Sequence, residues 1–353
     1  MDNEQWGSLL NRRSDDLARE LNSLQRPRQN VISPADQRLL GYTMGRAVDA
    51  RPVEGADLER LRQCNETVEQ TRSLLSLGRG NVAPDIQASG GASTRHAEAG
   101  RRVTGLAMQK HNLESFSMAR AVSAIQAQAG NCNEHAVLAT HLHAGELQPG
   151  ETVHSATHKV ADHAWAELRD QQEPQRHVVM DPWGFGPAVF AQDGEFTASR
   201  KRVKSQESYD AASGRRAYEA VVRASRHQPG VMGGEFQKAL RSLGADYQYN
   251  QNKIFAPTPV ISQAFSHRVL EKMAEPIDPA KLDATSRKAG TSKARGKQPL
   301  ETAKAPDPEQ LARQRELCNA INAVGVARRL GNGVMASVEM APGIEDAARK
   351  LRG

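Results

Sequence analysis

The sequence predicts an α+β protein, with a small antiparallel sheet in the middle and helical N- and C-terminal regions. Three observations carry that expectation. Apolar residues recur at helical spacing toward both ends. The middle holds short strand-like runs bounded by turn residues. Within that middle part, helices come first and strands follow.

At the N-terminal side, Trp6, Leu10, Leu17, Leu21 and Leu24 form a one-sided helical stripe over residues 4–24. A second stripe, Leu58, Leu61, Val68 and Leu75, spans 57–77, with Asp57 placed to cap its start and Gly78 to end it. Residues 78–102 then carry Gly78, Gly80, Gly90, Gly91 and Gly100, with only Val82 and Ile86 as large apolar residues. That composition predicts a flexible linker between a helical region at 1–77 and a central domain at 103–274.

In the central domain, residues 113–128 predict a helix with Phe116, Ala119, Val122 and Ile125 on one face. Gly130 breaks it, and Asn131 is placed to cap a second helix carrying Ala136, Val137, Ala139 and Leu142. Strands are expected over 152–158, 163–168 and 177–181. The charged, Pro-containing stretch 169–176 suits a hairpin loop between the last two. Two further helices are expected at 208–227 and 233–243. Residues 275–310 contain five prolines and seven Lys or Arg, and predict a disordered linker. A helical segment over 311–353, with Leu311, Cys318 and Ile321, closes the chain.

Composition narrows the function classes. The 353 residues are 38% hydrophobic and carry a net charge of +6, and no apolar run is long enough to span a membrane. The first residues lack the apolar core of a secretory signal, and Asp2 excludes N-myristoylation. A basic balance favours acidic surfaces, but no nucleic-acid-binding motif accompanies it. Three cysteines make no disulfide framework and leave at least one free thiol.

Cys64 lies on the Leu58–Leu61–Val68 stripe and Cys318 between Leu311 and Ile321, so both read as small buried hydrophobes. Cys132 differs. It follows Gly130-Asn131 and opens a helix, where unpaired backbone N–H groups and the helix dipole favour a thiolate and can hold an oxyanion. A thiolate nucleophile needs an imidazole base, and the imidazole needs an orienting acceptor. His163 begins one expected strand and Asp181 ends the next, stopped by Pro182. A hairpin centred near Gln172 sets the two residues opposite each other. On the first of these strands, alternation turns Ala164, Ala166 and Leu168 to the core and His163, Trp165 and Glu167 to the other face.

At Gly130-Asn131-Cys132, His163-Ala164-Trp165 and Asp181-Pro182-Trp183 the chain resembles the transglutaminase-like branch of the papain-fold cysteine enzymes. The likeness covers residues 113–190. It implies a core in which the Cys-bearing helix packs on a small antiparallel sheet, with Cys132, His163 and Asp181 as a catalytic triad. Gln126, Asn131, Trp165 and Trp183 are candidates for oxyanion or substrate contacts, Gln128 lying as near to Cys132 as Gln126. Within that clan the chain is most similar to the AvrPphE/HopX group, virulence effectors that plant-associated bacteria inject into host cells by type III secretion. The resemblance implies an export signal in the first residues and a host protein as substrate. No cofactor or metal is implied.

Deamidase, protease and transglutaminase share this triad, so the sequence leaves the reaction open. A Cys-His-Asp acyltransferase related to arylamine N-acetyltransferases is one alternative. A non-catalytic host-binding effector, or a basic scaffold, is the other. His135, His141, His143, His154, His158 and His177 raise the question of zinc, but neither a His-Glu-x-x-His helix nor a Cys-x-x-Cys pair is present. The basic runs at Arg200-Lys201-Arg202-Val203-Lys204 and 287–297 read as solvated surface or linker.

Overall fold

From Ala136 to Ala144 the side chains are apolar, small or histidine, with no polar stripe to face water, and this stretch makes up most of the central helix of the fold. The computed structural model describes residues 34–275 and 308–353. Every residue of that helix, α6 (Cys132–Ala144), is buried from Glu134 onward. Each fully buried Leu or Val there stabilises the fold by roughly 1.5–3 kcal/mol.

The described chain divides into two units, one of Val53–Ser266 with Leu351–Gly353, the other of the residues before Val53 with His267–Lys350. The first unit is α+β, with helices packed around a small antiparallel sheet. Its sheet has the strand order β6-β5-β4-β3-β7. These strands are β3 (Glu151–His158), β4 (Ala164–Asp170), β5 (Val178–Met180), β6 (Val189–Phe190) and β7 (Val203–Asp210), each antiparallel to its neighbours. Helix α6 packs on β3 and β4. On its other sides lie α2 (Gly55–Leu74), α5 (Phe116–Ala127) and α7 (Ala211–Leu243). Ala119, Val122, Leu138, Leu142, Val221 and Ala224 form the shared core of these last helices with α6. Ser115 caps α5 by accepting the Met118 N–H at 3.1 Å. Phe116, expected on the core face of α5, is instead exposed and lies under the Arg120 guanidinium.

Several expectations are corrected. The stretch 78–102 is not a linker. It forms β1 (Gly78–Arg79), α3 (Ala83–Ala88) and the start of α4 (Ala92–Lys110), and β1 pairs in parallel with β2 (Ala129–Gly130). The glycines and alanines that suggest flexibility serve close packing: a Cβ on Gly100 would lie 3.1 Å from the Ala127 Cβ. The boundary expected at residue 77 falls at 53 instead, so α2 belongs to the unit that contains Cys132. Helix α2 starts after Glu54, and Asp57 accepts a 2.7 Å hydrogen bond from Arg176 rather than capping the helix. The two helices expected at 208–227 and 233–243 are one helix, α7, which contains Pro229. Its buried stripe of Ala217, Val221, Ala224, Gln228, Met232 and Phe236 runs straight past the proline, so burial outweighs the one lost backbone bond.

In the second unit, α1 (Pro34–Val48) packs with α9 (Pro308–Arg329) and α10 (Val334–Arg349). Gly41 permits the α1–α10 approach, because a Cβ there would lie 2.7 Å from the Ala347 backbone. Asp49 accepts from Arg51 and from Arg268 and Lys272, both on helix α8 (Gln263–Ala274). The expected helical stripe at 4–24 and nearly all of the expected linker at 275–310 lie outside the described residues.

Candidate active site

The strands bring two of the singled-out residues together. His163 lies just before β4 and Asp181 just after β5. The pairing Leu168↔Val178 and Ala166↔Met180, if continued, sets Asp181 across from Trp165. The hairpin is therefore centred one residue beyond Gln172, and His163 and Asp181 are diagonal neighbours. Their side chains still meet: His163 Nε2 and Asp181 Oδ2 are 2.7 Å apart, both residues buried.

This pair is tuned by its surroundings. Burial opposes charge on His163, but the Asp181 carboxylate and its hydrogen bond, then a hydrogen bond and charge from Cys132, raise the imidazole pKa to about 10. For Asp181, burial pushes upward, and the charge and hydrogen bond of His163 overcome it to hold the carboxyl below its usual range. The Gly184 N–H donates to Asp181 Oδ1 at 2.9 Å. A Cβ on Gly184 would come within 2.8 Å of Asp181 Oδ2, so glycine alone fits behind the carboxylate. Arg72 of α2 clamps this turn by donating to the carbonyls of Pro182, Gly184 and Gly186 at 3.1, 2.8 and 2.8 Å.

Aromatic rings enclose the imidazole. Trp183 lies 5.1 Å, Phe196 4.5 Å and Trp165 5.8 Å from it, centroid to centroid. They exclude water from the His163–Asp181 pair and so strengthen it. The Trp165 indole donates to Glu167, itself buried between Arg169 and Arg200. Both faces of β4 are thus covered, not only the alanine face, and Arg200 of the basic run is tied to the sheet.

Cys132 opens α6 at the position where backbone N–H groups are unpaired, and it is partly buried. Asn131 is the N-cap residue, and its backbone N–H donates to Glu134 at 2.8 Å. Glu134 is buried and held by Arg101 at 2.7 Å and by Arg120 at 3.8 Å. Gly130 must be glycine here, since a Cβ would sit 2.4 Å from that of Glu134. The Asn131 Nδ2 donates to the Tyr249 hydroxyl at 3.3 Å.

Gln126 stands elsewhere. Its Oε1 accepts from Gln228 of α7 at 2.8 Å, and Gln228 in turn pairs with His111 at 2.6 Å. Gln128, in left-handed conformation, ends α5. The other cysteines separate as well. Cys64 is fully buried, its thiol pushed up by burial, with His143 Nε2 at 3.9 Å. The α6 histidines are structural: His135 bonds the Asn131 carbonyl, His141 the Val137 carbonyl, and His143 the Thr67 hydroxyl. Among the described residues no group of three or more His, Cys, Asp or Glu is arranged to hold a metal ion. Nor is any described helix long and apolar enough to cross a membrane.

Reading the sequence missed Glu134, Phe196 and Arg72. Only Glu134 left a local signature, the Asn131-x-x-Glu134 spacing of a capping box. The other two come from distant segments and carry no motif. Comparison with protein-family models, curated proteins and solved structures finds no significant match.

Proposed function

We propose that this protein is a thiol-dependent amide-processing enzyme of the transglutaminase-like, papain-fold kind, similar to the AvrPphE/HopX effectors. One observation carries the reading: His163 is held by Asp181 through Nε2 and interacts with Cys132 at the start of a buried helix. A cationic imidazole beside a thiol at a helix N-terminus is the arrangement in which a thiolate is stabilised.

The reaction follows from those roles. Cys132 Sγ bonds to the amide carbon, and the carbonyl π pair moves onto oxygen. As the oxyanion collapses, the C–N bond breaks and His163 gives its proton to the leaving amine. The product is a thioester on Cys132 plus free amine. Water or an acceptor amine then attacks, His163 takes the proton, and the C–S bond breaks to release the Cys132 thiolate and restore its pairing with the protonated ring. Asp181 orients the ring and stabilises its charge throughout. The proposed substrate is a host protein, reached by type III export and acted on at a glutamine side chain or a peptide bond.

The test is mass spectrometry of candidate host proteins incubated with the wild-type chain and with Cys132→Ala. Deamidation at a glutamine, a cleavage, or an amine adduct that requires Cys132 supports the reading and names the reaction. Identical modification by both forms sinks it. Host-protein capture by both forms without any modification favours the binding effector, and thioester transfer from a small acyl donor favours the acyltransferase.

A further inference from the structure

The tetrahedral intermediate needs donors aimed at its oxyanion, and the N–H groups at the start of α6 supply the backbone share. The side-chain share has an open place, since Gln126 is engaged with Gln228 and the Asn131 amide with Tyr249. Another amide lies two residues past β1. Strand β1 runs parallel to β2 in the register Arg79↔Gly130, and the Gly80 N–H donates to the Gly130 carbonyl at 3.1 Å. Two residues beyond that last pair come Asn81 on one segment and Cys132, the first residue of α6, on the other.

Asn81 is 5% exposed and held at two points. Its carbonyl accepts the Phe255 N–H at 2.9 Å, and its Oδ1 accepts the Trp183 indole N–H at 3.0 Å. An indole N–H can only donate, so the oxygen of this amide faces Trp183 and the Nδ2 points the other way. Among the described residues Nδ2 has no hydrogen-bond partner. The same Trp183 ring lies 5.1 Å from His163 on the side of the site that holds Asp181. Base and amide are therefore set by one indole.

We propose that Asn81 is a catalytic residue whose Nδ2 donates to the oxyanion formed at Cys132, with Trp183 as the positioning residue that aims it. The proposal rests on the acyl-enzyme reading above.

Two reagents separate the two ideas. With p-nitrophenyl acetate, Cys132 Sγ bonds to the ester carbon, an oxyanion forms, and its collapse expels p-nitrophenolate to leave an acetyl thioester. Iodoacetamide alkylates the same sulfur by displacing iodide, with no oxyanion. Asn81→Ala is expected to slow acetylation of Cys132 about 100-fold, the lower range for loss of one oxyanion donor, while alkylation stays within about twofold. Trp183→Phe, which keeps a ring beside His163 but removes the indole N–H, is expected to give a smaller loss of the same selective kind. If Asn81→Ala fails to fold by circular dichroism, Trp183→Phe alone decides. Unchanged acetylation, or an equal fall in both reactions, overturns the assignment of Asn81. No acetyl group on Cys132 of the wild-type chain overturns the acyl-enzyme reading itself.

Discussion

His163 Nε2 lies 2.7 Å from Asp181 Oδ2, although strand pairing sets Trp165, not His163, across from Asp181. The contact forms because both residues stand just beyond their strand ends, where the side chains are free to lean across the diagonal. Asp181→Ala removes the acceptor and leaves the imidazole buried without it. The His163 ring is then expected to lose its proton below neutral pH, whereas in the wild type it keeps it to about 10. NMR titration of the ring checks this. Any Cys132-dependent turnover should fall by about a thousandfold or more, as for other triads that lose the orienting carboxylate.

Stability should depend on pH in two windows. His163 is raised from 6.5 to about 10, so its contribution is complete below 6.5 and lost as pH rises toward 10. His135 and His143 are depressed to about 4 by burial, so the unfolded chain binds more protons than the native one between 4 and 6.5. Stability from that source rises with pH across this acid window. Melting temperatures from pH 4 to 10 should show a maximum near neutrality. His163→Gln should flatten the alkaline limb and leave the acid limb in place.

The three thiols should differ in reactivity. Cys64 is fully buried and its thiol is pushed up by burial, so iodoacetamide should spare it until the protein unfolds. Cys132, beside the cationic ring of His163, should react first. Cys132→Ala should abolish activity without unfolding the chain, while Cys64→Ala, a small core truncation, should keep it. Quantitative mass spectrometry of alkylated peptides over time gives the order, and equal rates at Cys132 and Cys318 would count against a nucleophilic role.

Two glycines offer a paired test of packing. Gly130→Ala drives a Cβ to 2.4 Å from that of Glu134, disturbing the buried Arg101–Glu134 pair, and should cost about 3 kcal/mol or more. Gly233→Ala lies inside α7 with open space around it and should instead stabilise by about 0.5–1 kcal/mol. Urea denaturation of both variants reads the difference.

Much of the central unit was legible in the residues. The breaks at Gly130 and Pro182, the start of α6 at Cys132 and the strands at 151–158, 164–170 and 178–180 follow from local pattern and turn chemistry. The stretch 78–102 was misread because glycine and alanine look alike whether they loosen a chain or let two elements approach closely. Only the partner distinguishes them, and for Gly100 the partner is Ala127, outside that stretch.

By itself, then, the sequence determined the element types around Cys132, the side chains proposed as nucleophile, base and acceptor, and the order in which they occur. Tertiary structure decided which of them meet. The diagonal contact of His163 with Asp181, the ring of Phe196 over the imidazole, the Arg72 clamp and the Trp183–Asn81 hydrogen bond all join segments distant in the chain. Short-range periodicity encodes local backbone geometry, whereas such contacts arise only once burial has packed the helices and sheet together.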